Sequence, residues 1–563
     1  MTQWLLVGIL MAGFVLRIVG LGFGLPNEYC RPDETTLVYK ALGIAAAGDP
    51  NPHFFNYPSL HFYLLTFLYV LYLGCGLLSG RFVDIASFQA EFFSDPSNFY
   101  LIGRFVTVCF GTGSIYWVWL LGIKMGGKRV GLLGALFFSA AFLHVRDSHF
   151  LTVDVPALFY AMGALVFALG YMEKSKKSNL VLSGVLMGCA ISTKYNLLLL
   201  GGASVLSLVL GADRQNKTFP WKSLFCWGTV VCGVFVLGSP FVLADFSNAW
   251  RDISFERAHF AQGHGLDLGR GWGYHSRFTL PLGLGWPLFL TALAGIIWLV
   301  WRRKSADWII LCAIVSYFGV AGSGKAVFVR YMLPLIPLLC LAAAAGIGHW
   351  TRRWPLGAVI LLGAVVVYPS AVSSFDYSRL LAQKDTRVLA AEWIEAHIPA
   401  SSRLALHGTD FGFPRIRPDH AWIRERYEDM QSAGLPGQRL LYQLRNPSSP
   451  EKPSYYTVEL KEENASGFRN VMPYFTRQAL LKSELRWIVL VEHPLARQFH
   501  PGLWAELQRE GVLVAQFDPF ISAAEEKLTF DPLDAFYLPL TGFSRVSRPG
   551  PKIYIYHLAH DLP

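Results

Sequence analysis

The chain has 563 residues, of which 53% are hydrophobic, 15% aromatic and only 16% charged. A water-soluble protein of this size carries nearer a quarter charged residues, and apolar runs of roughly 18 residues or more recur through the first two-thirds, so a soluble enzyme is excluded. The net charge of +10 does not imply a nucleic-acid partner, because the basic residues come as short clusters between apolar runs rather than as one patch.

In chain order, the first run covers residues 4–22. It has no basic leader and no small-residue cleavage site, so it reads as a retained signal anchor. Further spans are expected at 100–123, 129–146, 152–172, 179–193, 196–212, 223–243, 279–301, 307–322, 331–349 and 355–373. Between them lie Lys124/Lys128/Arg129, Lys174/Lys176/Lys177, Arg214/Lys217/Lys222, Arg302/Arg303/Lys304 and Arg352/Arg353. Such clusters mark the cytoplasmic side. Parity then puts the N-terminus in the cytoplasm and 23–99, 147–152, 193–196, 244–278 and 322–330 outside.

A further apolar run at 57–78 is long enough to cross, giving about 11–12 transmembrane helices in all. Because 23–99 must begin and end outside, the run is expected to lie in the interface; the alternative is a full crossing with one count changed elsewhere. After Ser374 charge, proline and turn residues take over, and 376–563 reads as a soluble α/β domain on the same side as 23–99. A helix is expected over Asp385–His397, and strands over 403–407, 486–492, 511–517 and 552–558. Of eight cysteines, seven fall in or beside apolar runs, so neither a disulfide framework nor zinc spacing is present.

Charged residues at the span ends carry the chemistry. Arg31-Pro-Asp33-Glu34 follows the first span and opens a helix that stops at Gly48-Asp49-Pro50. Acidic residues and proline in a first turn are ordinary helix-start chemistry. The functional reading makes Asp33 a general base, with Glu34 as a supporting or metal-facing partner. His53, Asn56 and Tyr57 in the following loop are candidates to line a polar site, with an aromatic belt as the alternative for Tyr57.

Arg104 lies one turn into an apolar span, either snorkelling or facing an anion. Asp154, in Thr-Val-Asp-Val-Pro, either caps a helix or binds a divalent ion together with Glu34. Lys194-Tyr195 interrupts two apolar runs, where a lysine must reach water or pair with an anion. Lys325, Arg330 and Tyr331 sit at the outer edge of a later span and suit a phosphate anchored to lipid. Gly322-Ser-Gly-Lys is no nucleotide loop, for want of the spaced first glycine. His259, His264 and His275 share one loop without metal spacing and read as incidental in a solvated segment.

The order of these motifs resembles the GT-C glycosyltransferases of the protein-O-mannosyltransferase and aminoarabinose-transferase type. It runs Arg-Pro-Asp-Glu, Asn-Tyr-Pro-Ser-Leu, an arginine in the next span, Thr-Val-Asp-Val-Pro, Thr-Lys-Tyr and Lys-x4-Arg-Tyr-x-Leu-Pro-x-x-Pro. The resemblance covers about residues 1–375. It implies a GT-C membrane domain and transfer of a sugar from a polyprenyl-phosphate donor on the external face. By position, Asp33 is the catalytic carboxylate and Asp154 the second acidic residue, with a divalent metal where one is used. Lys194, Lys325, Arg330 and Arg104, with Tyr331, would meet the lipid phosphate; His53, Tyr57 and Tyr195 would line the substrate site. Loop 244–278 is too short for the domain that protein mannosyltransferases insert, which favours a lipid, glycan or surface-polymer acceptor over a protein and a bacterial or archaeal source. A transporter or flippase for lipid-linked sugars is the alternative; it calls for internal repeats and acids at mid-membrane, whereas here the acids lie at span ends.

Overall fold

The computed structural model describes residues 2–213, 219–435, 437–446, 452–461, 467–473, 484–494, 511–521, 528–534 and 537–558, with Leu503, Ala505, Leu507 and Arg509. The chain forms two compact units. The first comprises Met1–Leu21, Thr36–Tyr72 and Tyr100–Arg379; the second comprises Gly22–Thr35, Leu73–Phe99 and Leu380–Pro563.

The first unit is helical. Among the described residues six helices are long and apolar enough to cross a membrane, or seven if the pair Gly271–Leu284 and Trp286–Arg302, bent by 115°, counts as one span. Thr2–Ile18, Ser305–Ala321 and Leu335–Trp350 are apolar but shorter. This is an integral membrane protein. The run expected to lie in the interface is one continuous helix, Leu60–Leu78, with a mean hydropathy of 1.7; by length and composition it fits the crossing alternative. The bend between Gly271–Leu284 and Trp286–Arg302 falls at Gly285, whose φ of 74° suits a residue without a β-carbon.

The span expected over 129–146 is broken. Helix Lys128–Ser139 stops, and Phe142–Asp147 starts afresh in a stretch buried almost throughout. Side chains satisfy the backbone groups that the break frees. Arg17 donates to the Ser139 carbonyl at 2.8 Å, Ser374 donates to the Ala140 carbonyl at 3.0 Å, and the Phe142 amide donates to Ser370 Oγ at 2.9 Å. Elsewhere small residues let helices approach: a β-carbon on Gly295 would fall 2.1 Å from the Ala342 carbonyl oxygen.

The second unit is α/β. Its strands are β1 (Arg403–His407), β2 (Tyr456–Lys461), β3 (Val471–Pro473), β4 (Trp487–Glu492), β5 (Gly511–Phe517), β6 (Thr529–Phe530), β7 (Pro539–Thr541) and β8 (Lys552–Leu558). Six of them form one sheet in the order β3-β2-β1-β4-β8-β5. β1 to β4 are mutually parallel, and β8 runs antiparallel to both β4 and β5. The expected helix appears as Thr386–His397, capped by Asp385. It packs on the apolar face of Leu404, Leu406, Val489, Val491, Ile553 and Ile555. The four expected strands correspond to β1, β4, β5 and β8. β2, β3 and the helices His420–Ser432 and Gln438–Arg445 are additions.

At the carboxyl ends of the parallel strands, Asp385 and Arg387 form a fully buried ion pair at 2.7 Å, and Arg387 also donates to the Phe411 carbonyl. His493, just after β4, lies against the rings of Phe530 at 4.4 Å and Tyr537 at 4.8 Å. Burial, and secondarily the charge of Arg387, push its imidazole down from the ordinary 6.5 to about 3. The folded state therefore favours the neutral ring. Its contribution is complete above pH 6.5 and is lost as the pH falls from there toward 3. The wild-type second unit should lose up to roughly 1.4 kcal/mol more per pH unit across that window than His493→Phe. Chemical denaturation followed by limited proteolysis from pH 7 to pH 4 reads the difference; parallel curves would refute it.

Candidate functional site

Two groups of expected residues are placed by the two units separately. In the second unit the chain leaves the first helix through a tight loop. Gly24, at a φ of 69°, passes so close to Cys30 that a β-carbon would meet the Cys30 β-carbon at 2.3 Å. Asn27 accepts from the Tyr29 amide at 3.1 Å and donates to the Phe413 carbonyl at 3.0 Å. Glu28 is buried between Arg415 at 3.0 Å and Arg439 at 3.4 Å. Helix Pro32–Ala47 then starts, with proline in its first position and Asp33 and Glu34 in its first turn, where the helix dipole favours negative charge.

Glu34 is fully buried, whereas the Asp33 side chain keeps 35% of its exposure. Arg31 is fully buried and pairs with both Asp33 at 3.8 Å and Asp534 at 3.6 Å. Neither Arg31 nor Asp534 was singled out from sequence. The arginine stands directly before Pro-Asp-Glu, which is a signal; its partner lies some 500 positions on and leaves none.

In the first unit Asp154 begins helix Asp154–Lys174 and forms an ion pair with Lys194, at side-chain exposures of 8% and 14%. Lys194 sits in extended backbone between helix Lys177–Thr193 and a turn at Tyr195–Leu197. The anion expected for it is thus the chain's own carboxylate. Its ammonium also lies 5.5 Å from the Tyr331 ring, and the Tyr331 carbonyl accepts from Tyr317, whose hydroxyl receives a bond from Asn196.

The Arg330 guanidinium stacks 4.6 Å over Phe328. Lys325 is exposed and lies 3.9 Å from the still more exposed Asp267, a pair worth little. Arg104 is buried and donates to the Leu21 carbonyl at 2.8 Å, which ties it to the backbone at the end of the first helix.

His53 hydrogen-bonds to Asp49 at 3.0 Å in a loop stapled to helix Phe246–Gln262. Asn51 reaches Asp245 at 3.0 Å, the Phe55 amide reaches Asp252 at 3.0 Å, and Asn56 reaches Glu256. The Asn51 amide and then His53 hold the Asp49 carboxyl below its ordinary range, and the Asn51 side chain does the same for Asp245. Tyr57 meets Phe54 edge-on at 5.9 Å, and Tyr195 packs on the apolar cluster of Phe55, Val242 and Ala249. Asp245, Asp252 and Glu256 went unnoticed in the sequence, although seven and then four residues separate them, which is one face of a helix.

The segment read as a solvated loop is largely that helix. His259 and His264 face each other at 2.8 Å, but His275 is buried against Thr279. Among the described residues no group of three His, Cys, Asp or Glu side chains could hold a metal ion. Asp154, expected to share an ion with Glu34, pairs with Lys194.

Residues 92–243, which include Arg104, Asp154 and Lys194, match the family model of dolichyl-phosphate-mannose-protein mannosyltransferase. The chain is similar to ArnT from Cupriavidus metallidurans bound to undecaprenyl phosphate, at 14% identity and a TM-score of 0.50, with 99% of each chain covered. It has the fold of the GT-C glycosyltransferases. The oligosaccharyltransferase of Archaeoglobus fulgidus in the apo form is matched at 12% identity and a TM-score of 0.47, over 87% of this chain and 69% of that one. No curated protein matches in sequence.

The Asp154–Lys194 pair generates a test of its own. Either Asp154→Asn or Lys194→Met alone leaves one charge in a poorly solvated site and should cost about 3 kcal/mol. The double substitution should recover much of that, with a coupling of at least about 1 kcal/mol in a double-mutant cycle of denaturation in detergent. Additive losses would show that the two groups act independently.

Proposed function

We propose that the chain is a membrane glycosyltransferase that moves a sugar from a polyprenyl-phosphate donor to an acceptor hydroxyl on the extracytoplasmic face. The observation that carries this reading is the partly exposed Asp33 carboxylate, in the first turn of its helix beside a buried arginine, in a chain with the GT-C fold. The match of residues 92–243 to the dolichyl-phosphate-mannose family, and the undecaprenyl phosphate in the ArnT structure, support a lipid-linked donor. The alternation of basic clusters supports the external side, and a bacterial cytoplasmic membrane suits an undecaprenyl carrier.

In the proposed reaction Asp33 accepts the proton of the acceptor hydroxyl as that oxygen attacks the anomeric carbon. The bond from that carbon to the phosphate oxygen breaks in the same displacement, so the anomeric centre inverts. The phosphate leaves on its lipid, its developing charge met by Lys325 and Arg330. Lys194 serves chiefly to hold Asp154, and Glu34 supports the helix start. The acceptor is a lipid, a glycan or a protein hydroxyl.

Asp33→Asn should reduce transfer from a polyprenyl-phosphate sugar by roughly 10²-fold or more while the protein still purifies as a monodisperse species. Normal product yield from that variant would sink the assignment. Arg330→Ala should raise KM for the donor about tenfold, because a charge-assisted phosphate contact is worth roughly 1.5–3 kcal/mol. Unchanged donor kinetics would remove Arg330 from the phosphate site. The sugar can be read by mass spectrometry of cell-envelope glycans and lipids with and without the gene.

A further inference from the structure

The sheet of the second unit has the strand order β3-β2-β1-β4 in its parallel part. Order reverses at β1, so the crevice beyond the carboxyl ends of β1 and β4 is a topological switch point, where open α/β sheets take their ligands. Here the chain's own first loop is seated there. The turn Glu28–Cys30 packs on the turn Asp410–Gly412 that follows β1, and Asn27 donates to the Phe413 carbonyl at 3.0 Å. At the same end Gly408 runs so near β4 that a β-carbon would meet Val491 at 2.7 Å. Arg415 fixes the neighbouring segment through the Ser94 and Phe93 carbonyls at 3.1 and 3.2 Å.

The electrostatics of Arg31 give this seating a purpose. A guanidinium with no exposure needs a counter-charge that is equally removed from water. Asp534 is such a group, at 3% side-chain exposure, whereas Asp33 keeps 35%. The two carboxylates therefore divide the arginine unequally. Asp534 offers a buried counter-charge to one terminal nitrogen of the guanidinium, and the partly exposed Asp33 pairs with the other.

We infer that Asp534 is a positioning residue for the transfer reaction: by holding Arg31 in the switch-point crevice it fixes the orientation of Asp33. The inference rests on the reading of Asp33 as the base. A misdirected base loses rate without losing donor affinity, since the phosphate contacts belong to Lys325 and Arg330.

The test measures kcat and donor KM with a polyprenyl-phosphate sugar on the full-length protein in detergent. Asp534→Asn, nearly isosteric but neutral, should lower kcat by about tenfold to a hundredfold and change KM by less than about twofold. Asp534→Glu should restore most of the rate. Should Asp534→Asn fail to fold, the double variant Arg31→Gln/Asp534→Asn removes both buried charges of the pair, leaves Asp33 to water through its exposed part, and should show the same fall in kcat. A kcat within about twofold of wild type in either neutral variant overturns the inference, as does a loss that merely tracks the folded fraction or appears in KM. Asp33→Asn separates the two failures. If that variant is inactive and Asp534→Asn is not impaired, only the positioning role falls; if Asp33→Asn is fully active, the underlying reading falls first.

Discussion

An apolar interior offers no water to a polar group, so every helix break and every charge inside it must be answered by the chain itself. The break at Ser139–Phe142 shows the constraint most plainly. Arg17, Ser370 and Ser374 each take a backbone group there. The buried stretch that follows leads directly to Asp154 at the start of its helix, and Lys194 supplies the opposite charge. The arrangement of the first unit follows from these matched pairs more than from hydrophobicity, which lipid and protein share in equal measure.

The second unit obeys the same rule. Arg387 with Asp385, Arg31 with Asp534, and Glu28 between Arg415 and Arg439 are pairs in which at least one member is almost fully buried. Such pairs add little net stability, but they penalise any arrangement that separates them. They thereby fix the register of a loop that would otherwise have only Gly24, Asn27 and a short turn to define it.

The sequence made the membrane class, the α/β character of 376–563 and four of the strands legible, because apolar runs and β-branched stretches such as Trp487–Glu492 carry their own signal. β2 was harder to read because Thr457, Glu459 and Lys461 alternate outward between buried Tyr456, Val458 and Leu460, and three apolar residues among charges do not announce a strand. The break at Ala140 carries no glycine or proline to mark it; the side chains that stabilise it come from Arg17 and from residues 370 and 374. Of the site, the charged motifs themselves were visible, but not their pairing. Lys194 called for an anion and could not say that Asp154 would be that anion. Asp534 sits in an unremarkable Pro-Leu-Asp-Ala stretch whose meaning exists only in three dimensions.

The composition of the second unit also sets an order in time. Gly22–Thr35 are made some 500 residues before Asp534. At roughly 5–20 residues per second, Arg31 waits about 25–100 s for its buried counter-ion. Until Asp534 is made, Arg31 and Asp33 are present without the buried carboxylate that pairs with Arg31. Closure of this loop thus depends on a contact between residues some 500 positions apart.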